Sequence, residues 1–320
     1  MDTLYFILQL AIASSVPLAL VAFGALFAER SGVINIAMEG IMVMGAFVAA
    51  AMIVVMEGLG VPAQWIVLIA LLVGLIVGAL YSLLHALASI NMKANQIISA
   101  TALNLFAPAF AIFMARTYSP DGTRQIILGQ NYKIAEVPIL SDIPFLGPIL
   151  FQQAFLSTYV GIVLFALSYV LLFKTPFGLR LRACGENPSA ADSVGINIYR
   201  MRYAGVVISG AFAGMGGVIF LISFATTFSA TVNGFGFLAI AVLIFGQWKP
   251  RRILFAAAFF GLMRVVASAY EVIPVLNTLG VPRQIYSIIP YAATLIVLAF
   301  VSKDSAAPRA AGQPYDAGKR

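Results

Sequence analysis

The sequence is poor in charged residues and in the side chains that most enzymes use. Only 10% of its 320 residues are charged and 62% are hydrophobic, whereas soluble domains carry about 25% charged residues. A soluble domain of this length needs a more charged surface, so the composition predicts a membrane protein. With one cysteine, Cys184, and one histidine, His85, a disulfide framework, a Cys/His zinc site and most catalytic triads are excluded. We therefore expect no metal, no cofactor and no covalent catalysis.

Uncharged stretches long enough to cross a bilayer recur along the whole chain. About 20 apolar residues, at about 1.5 Å each, cross a hydrocarbon core of about 30 Å. The uncharged run from Tyr203 to Trp248 is too long for one crossing, so it must fold back, and the polar stretch from Thr226 to Gly236 is the predicted break. The sequence thus predicts an all-α, polytopic membrane protein with about nine transmembrane helices, within a range of eight to ten. The predicted spans are 4–28, 33–56, 63–90, 95–116, 153–173, 201–223, 235–247, 252–271 and 284–302.

The distribution of Lys and Arg predicts how these spans are oriented. With the loop 174–202 in the cytoplasm, only Arg116, Arg124, Lys133 and Arg283 fall on the opposite side, and Arg264 lies within a span. The positive-inside rule then places the N-terminus outside and the C-terminus in the cytoplasm of a multi-pass protein of the cell (inner) membrane. This asymmetry accounts for the net charge of +7 without a nucleic-acid partner.

The domain organisation follows from the same pattern. Residues 1–302 form one transmembrane domain with a cytoplasmic loop at 174–202 and an external loop at 117–152. The tail, residues 303–320, combines Ala, Pro, Gly and charges without an apolar period, which predicts a disordered cytoplasmic tail.

The cytoplasmic loop contains the signals of a short capped helix. Asn187 suits the N-cap, Pro188 the first helical position, and Gly195 the left-handed position after the last turn. An isolated helix of about two turns is marginal in water, so a partner must hold it. The alternative is an ordinary amphipathic connector.

Four segments resemble the permease subunits of ABC importers in the branched-chain amino acid and simple-sugar group, most of all the nucleoside-type permeases. They are FGLRLRACGENPSAADSVGI at 177–196, ERSGVINIAMEGIMVMGAF at 29–47, GFLAIAVLIFGQWKP at 236–250 and NQIISATALNL at 95–105. The resemblance implies four partners: a cytoplasmic ABC ATPase, a second related permease in a heterodimer, an external substrate-binding lipoprotein and a small-molecule substrate. It also implies that ATP is hydrolysed by a separate chain, which agrees with the absence of a P-loop motif from this sequence.

By the same resemblance, the helix 187–195 sits in a cleft of the ATPase and transmits its movement to the spans. The residues assigned to this contact are Arg180, Arg182, Glu186, Asn187, Pro188, Ala190, Ala191 and Gly195, with Leu179, Leu181, Val194 and Ile196 as hydrophobic contacts.

Polar residues inside the spans are the candidates for a substrate pathway. Asn35 and Glu39 are four residues apart and share a helix face. A carboxyl group in a span is costly, so Glu39 should face the bundle interior, a cavity or a partner group. Two readings stay open: a role in substrate binding or gating, and a structural bond between helices.

The fourth span and the break in the long run supply matching groups. Amide and hydroxyl side chains suit an uncharged polar solute such as a nucleoside, and aromatic rings suit its base. The candidates are Asn95, Gln96, Ser99, Asn104, Phe106, Phe228 and Asn233.

Small residues predict close helix packing. Gly74 and Gly78 form a G-x-x-x-G step, and Gly210, Gly214, Gly216 and Gly217 give the sixth span a smooth face.

The sequence therefore favours a permease subunit of an ATP-driven importer that translocates a neutral polar solute, with nucleosides as the expected cargo. One alternative is a permease of the same group for simple sugars or branched-chain amino acids. Another is an ion-coupled secondary transporter that uses Glu39, Arg264 and Glu271 as coupling groups. A membrane-embedded enzyme is disfavoured, since the sequence lacks catalytic clusters at suitable spacing.

Overall fold

The computed structural model describes residues 2–118, 122–225, 227–268 and 306–316, together with residues 285, 288, 289, 292, 293 and 295. The described part is a bundle of apolar helices, which confirms the all-α polytopic fold. The helices are α1 (Asp2–Arg30), α2 (Met38–Gly58), α3 (Ala63–Ala86), α4 (Gln96–Tyr118), α5 (Leu156–Lys174), α6 (Pro176–Glu186), α7 (Pro188–Ser193), α8 (Ile198–Phe224), α9 (Phe235–Phe245) and α10 (Pro250–Ser268). The strands are β1 (Ile126–Ile127), β2 (Lys133–Glu136), β3 (Gln152–Phe155) and β4 (Thr227–Phe228), and β1 pairs with β4 and β2 with β3, both antiparallel.

Each of the first eight predicted spans overlaps a helix. Six helices in the described part are long and apolar enough to cross a membrane: α1, α2, α3 with its π-helical extension to Asn91, α4, α5 and α8. α9 has only 11 residues, and α10 carries three arginines. The ninth predicted span, 284–302, lies mostly outside the described residues, so the helix count stays a prediction.

The second predicted span begins later than expected. It was predicted from residue 33, but α2 starts at Met38, and residues 31–37 form a non-helical connection after α1. The predicted break in the long uncharged run coincides with the non-helical stretch between α8 and α9, apart from Thr226, which is outside the described residues. We call residues 31–37 the first unwound segment and residues 227–234 the second.

α8 forms the centre of the bundle and packs on α1, α2 and α3. The close helix packing predicted from the glycines is confirmed between α3 and α8, because their two backbones touch. A Cβ atom on Gly78 would lie 2.2 Å from the Gly210 carbonyl oxygen, and one on Gly214 would lie 2.1 Å from that of Gly74. Real Cβ atoms do not approach backbone so closely, so only glycine permits this helix spacing.

The bundle has two distinct ends. At the strand end, which carries β1 to β4, the Gln9 side-chain amide donates to the Gln152 carbonyl oxygen at 3.1 Å. At the opposite end, which we call the α7 end, the last residue of α1, Arg30, forms a 3.2 Å ion pair with Glu186 of α6. α1 therefore runs the full height of the bundle from one end to the other.

A carboxylate fastens the strand end to α2. Glu57, in the last turn of α2, accepts hydrogen bonds from the backbone N–H groups of Gly129, at 3.0 Å, and Gln130, at 3.0 Å, and from the Tyr132 hydroxyl. Burial, followed by the bond to Glu57 and the charge of that carboxylate, raises the pKa of Tyr132 above its ordinary value. The predicted external loop is thus an ordered structure across residues 122–152.

The prediction of a disordered tail over 303–320 is wrong for residues 306–316. The Ala310 N–H donates to the Gly185 carbonyl oxygen at 2.9 Å, and the Gly312 N–H donates to that of Gly32 at 3.2 Å. Sequence periodicity does not detect this segment, because its order comes from backbone bonds to distant parts of the chain rather than from a helix or strand of its own. The rest of the tail lies outside the described residues.

Candidate functional site

The first unwound segment is held in the bundle by a buried asparagine. Asn35 is 1% exposed, and its side-chain amide donates to the Ser209 hydroxyl of α8 at 3.2 Å. Its side-chain oxygen accepts the Ala37 N–H at 3.1 Å, just before α2 begins. Asn35 therefore ties the segment to α8 and orders the start of α2, which corresponds to the structural bond among the two readings left open by the sequence.

Two predicted pathway residues of α4 bind the backbone of this same region. Gln96 is buried, and its side-chain oxygen accepts the Ile34 N–H at 2.7 Å. Asn104 accepts the Gly40 N–H at 2.7 Å and donates to the Ile36 carbonyl oxygen at 2.9 Å. Residues between two helices lack helical partners for part of their backbone, and in a bilayer those groups must be satisfied within the protein. The α4 amides supply these partners.

A histidine belongs to the same network although the sequence analysis did not assign it to a site. His85 of α3 is buried, with Nε2 3.0 Å from the Ile34 carbonyl oxygen and Nδ1 3.1 Å from the Ser99 hydroxyl. A carbonyl oxygen only accepts, so Nε2 carries the proton and Nδ1 of the neutral ring accepts from Ser99. In the sequence, His85 stands out only as the single histidine, near a helix end. That position does not reveal its partner Ile34, which lies 51 residues away.

Asn95 lies apart from this network. Its side-chain oxygen accepts the N–H groups of Ile97 at 2.9 Å and Ile98 at 3.2 Å, so it caps the N-terminus of α4. It is exposed at the α7 end, about 13 Å along the helix from Asn104 at about 1.5 Å per residue. Asn95 thus acts as a helix cap, although it adjoins Gln96, which binds the first unwound segment.

Glu39 joins the two unwound regions of the chain. Its two carboxylate oxygens accept the N–H groups of Gly234, at 2.8 Å, and Gly236, at 2.7 Å, where α9 begins. A helix N-terminus has free N–H groups and a partial positive charge, so a carboxylate there is bound by both. A Cβ atom on Gly236 would lie 2.4 Å from the Glu39 backbone nitrogen, so glycine is required for this approach.

Arg264 of α10 supports the same junction. Its guanidinium donates to the Asn233 carbonyl oxygen at 2.9 Å and lies 4.5 Å from the centre of the Phe235 ring. The positive charge of Arg264 is therefore stabilised by the Asn233 carbonyl oxygen and by the face of the Phe235 ring. Glu271, which the ion-coupled alternative groups with Arg264 and Glu39, lies outside the described residues.

Aromatic rings connect α2, α4 and the second unwound segment. Phe106 and Phe110 stack with ring centres 5.5 Å apart, Phe110 meets Phe47 edge-on at 6.4 Å, and Phe47 lies 6.0 Å from Phe228. Phe228 is 2% exposed and Phe106 52% exposed. Of these two predicted stacking residues, only Phe106 offers an open ring face.

Asn233 also has an accessible side chain. It lies in the second unwound segment with a positive φ of 53°, and it is exposed, as is Thr231. α2 contacts both α4 and β4 of this segment. Phe106 and Asn233 are therefore exposed groups on two neighbours of α2. Among the described residues, no three His, Cys, Asp or Glu side chains are placed to hold a metal ion.

The predicted short helix is present at the α7 end with the predicted caps. The Asn187 side-chain oxygen accepts the Ala190 N–H at 3.0 Å, Pro188 occupies the first turn of α7, and Gly195 has a φ of +82°. α6 was not predicted from the sequence; Thr175 caps it by accepting the Gly178 N–H at 3.2 Å. The Thr-Pro pair at its start repeats the Asn-Pro signal of α7.

The predicted ATPase-contact residues divide into exposed and inward-facing groups. Arg180, Glu186, Asn187, Ala190 and Gly195 are exposed, as are Leu179 at 62% and Val194 at 75%. Ala191 is 4% exposed and packs with Cys184 and Ile198. Leu181 is fully buried, so its assignment as a hydrophobic surface contact is wrong.

Two more predicted contact residues are partly covered. Pro188 is half-buried at the start of α7. The Arg182 guanidinium lies 5.1 Å from the centre of the Phe173 ring, and its Nε donates to the Gly178 carbonyl oxygen at 3.3 Å. The exposed surface at the α7 end is therefore made mainly by Leu179 and Arg180 before Arg182 and by Glu186, Asn187, Ala190, Val194 and Gly195 after it.

The apolar bundle, its two unwound segments joined at Glu39 and the capped helix at one end together define a multi-pass membrane permease. The sequence profile described as "Branched-chain amino acid transport system / permease component" matches residues 7–298, and the chain belongs to this family. The resemblance seen in the sequence is thereby confirmed.

Individual relatives extend over almost the whole chain. It is 39% identical over 316 residues to the nucleoside ABC transporter permease protein NupC of Lactococcus lactis subsp. cremoris, covering 98% of each chain. It is 40% identical over 306 residues to the guanosine ABC transporter permease protein NupQ of Bacillus subtilis, covering 95% of this chain and 94% of the relative. Identity to the glucose ABC transporter permease protein TsgB13 of Haloferax volcanii is 24% over 296 residues, covering 91% and 74%. No solved structure is a significant match.

Proposed function

We propose that this chain is the permease subunit of an ATP-driven importer of nucleosides. The observation that carries the substrate class is the 39% and 40% identity to relatives named for nucleoside and guanosine transport, against 28% and 24% to two relatives named for glucose transport. The chemistry of the bundle agrees with a neutral polar cargo, because its carboxylates are already bound within the protein: Glu29 accepts the Trp248 indole N–H, and Glu39 accepts the N–H groups of Gly234 and Gly236.

In this proposal the α7 end faces the cytoplasm and receives the ATPase. The N-terminus is then external and the C-terminus cytoplasmic. The exposed side chains of Leu179, Val194 and Ala190 offer an apolar contact beside the charge of Arg180. ATP is hydrolysed by the partner, and a second related permease and an external binding lipoprotein complete the importer.

The solute path runs beside α2, between α4 and the second unwound segment. Phe106 supplies an open aromatic face for the base, and the Asn233 side chain supplies donors and an acceptor for polar groups. The other pathway candidates shape the wall of this path: Asn35, Gln96, Ser99 and Asn104 fix the first unwound segment, and Glu39 fixes the second.

Uptake of labelled guanosine tests the substrate class. Cells that lack the chain, with its partner genes intact, are compared with the same cells after the chain is restored. The proposal predicts uptake only in the restored cells, displaced by excess unlabelled nucleosides and not by glucose or leucine. Displacement by glucose or leucine instead would assign the chain to the sugar or amino acid alternatives.

A further inference from the structure

The segment 306–316, which we call the C-terminal clasp, joins two parts of the α7 end that are distant in sequence. Its Ala310 N–H binds the carbonyl oxygen of Gly185, at the end of α6, and its Gly312 N–H binds that of Gly32, in the first unwound segment. The Gly185 backbone also lies directly against α1, since a Cβ atom there would be 2.4 Å from the Arg30 carbonyl oxygen. The clasp therefore bridges α6 and the first unwound segment where they already touch.

A buried arginine lies beneath the clasp. Arg202 of α8 is 1% exposed, and its Nη1 donates to the Gln313 carbonyl oxygen at 2.9 Å. Within the described residues, its Nε and Nη2 atoms have no hydrogen-bond partner. A buried cation is costly without polar partners, so the carbonyl oxygen of the clasp is the main compensation that the described structure gives this charge. Arg202 is thus a strong anchor for the clasp.

The far end of the clasp packs on the base of α7. Tyr315 contacts the cluster of Cys184, Ala191 and Ile198, and its ring centre lies 6.0 Å from that of Tyr199. The adjacent Asp316 forms a 2.9 Å ion pair with Lys93, between α3 and α4. The clasp thereby contacts the same cluster that anchors α7 through Ala191.

We propose that the C-terminal clasp is a positioning element that transmits movement of α7 to the first unwound segment. This inference rests on the proposed function, because it takes the ATPase as the partner that moves α7. The path of contacts is continuous: α7 packs through Ala191 on the cluster under Tyr315, the clasp binds Gly32, and residues 34–40 bind the α4 amides and lead to Glu39. Without the clasp, ATP hydrolysis continues but drives less uptake.

Gly312 offers the most direct perturbation. It has a φ of +78°, and a Cβ atom there would lie 2.9 Å from Cδ1 of Ile34. Gly312→Val therefore adds both backbone strain and a clash against the first unwound segment. Gly60→Val is the matched control, since Gly60 has a φ of +71° and nothing within 4 Å of the position of its Cβ atom. Both variants carry the same backbone strain, and only the first disturbs the clasp.

The single cysteine reports whether the clasp is in place. Cys184 is buried in the cluster that Tyr315 covers, so a maleimide reaches it only when the cluster opens. In the complete membrane complex, we expect Gly312→Val to be labelled about tenfold faster than the wild type, because labelling follows the population of the open state. We expect the ratio of guanosine imported to ATP hydrolysed to fall severalfold in this variant and to stay at the wild-type value in Gly60→Val.

Tyr315→Ala is the second variant, and it is used if Gly312→Val does not reach the membrane. It leaves in place the two backbone bonds of the clasp, from Ala310 to Gly185 and from Gly312 to Gly32. Fast labelling with a wild-type ratio of uptake to hydrolysis would overturn the proposal, and so would labelling unchanged in both variants. A wild-type complex without ATP-dependent guanosine uptake would overturn the proposed function instead, whereas docking of the clasp would still be read from the labelling of Cys184.

Discussion

The junction between α2 and α9 depends on the negative charge of Glu39, and Glu39→Gln tests this dependence. One oxygen of the carboxylate accepts the Gly234 N–H at 2.8 Å, and the other accepts the Gly236 N–H at 2.7 Å. A glutamine keeps one accepting oxygen and turns an amide N–H₂ group towards the other donor. The variant therefore loses one charge-assisted hydrogen bond, worth about 1.5–3 kcal/mol, and the favourable interaction with the N-terminus of α9, worth about 0.3–1 kcal/mol.

Together these losses lower the free energy of unfolding by about 2–4 kcal/mol. Since 1 kcal/mol shifts the melting temperature of a domain of 150–250 residues by about 2–4 °C, we expect a decrease of roughly 4–8 °C in this longer chain. The assay is thermal unfolding of the purified complex in detergent, followed by the loss of its monodisperse peak on size-exclusion chromatography.

Glu136→Gln is the control, because Glu136 is exposed on β2 and surface changes usually lie within about 0.5 kcal/mol. Two results separate the readings of Glu39. A lower melting temperature in Glu39→Gln supports a structural junction. An unchanged melting temperature with a raised KM for guanosine uptake would refute the reasoning and make Glu39 a group that contacts the solute.

Three further predictions address the proposed path, the ATPase contact and the reporter thiol. Phe106→Ala should raise the KM for guanosine about 5- to 150-fold, because stacking a base on an aromatic ring is worth about 1–3 kcal/mol. The control Phe255→Ala removes a 77% exposed ring on α10 and should leave the KM unchanged; equal effects of the two variants on KM would exclude the stacking role. Ala190→Arg should abolish co-purification of the ATPase without changing the melting temperature. The control Ala135→Arg, at the strand end, should leave co-purification intact. Normal co-purification of the ATPase with Ala190→Arg would count against docking at α7. Burial raises the pKa of Cys184 to about 11, with the charge of Arg202 lowering it in part, so maleimide should label the native complex at pH 8 far more slowly than the denatured chain. Rapid labelling at pH 8 that matches the denatured chain would contradict this burial.

The sequence pattern predicted the features that depend on local chemistry. The caps of α7 at Asn187, Pro188 and Gly195 are confirmed, because a helix start and stop require particular side chains and dihedral angles within a few residues. The glycine contact between α3 and α8 was also predictable, since the small residues recur at helical spacing on both helices.

Features that depend on distant partners were not predictable in the same way. The amides of α4 were recognised as one polar group, but nothing in their spacing shows that they bind the backbone of residues 34–40. That requirement arises only because residues 31–37 are not helical and lie in the bundle. The order of residues 306–316 likewise comes from partners more than a hundred residues away, such as Arg202, and from no local periodicity.

The energy source of uptake decides whether this chain works as an ATP-driven permease. Proteoliposomes that contain this chain with its partner permease and ATPase are supplied with guanosine-loaded binding protein on one side and ATP on the other, with proton and sodium gradients collapsed by ionophores. The account predicts guanosine accumulation that requires ATP and is unaffected by the ionophores. Accumulation that stops with the ionophores and proceeds without ATP would contradict it and favour an ion-coupled transporter.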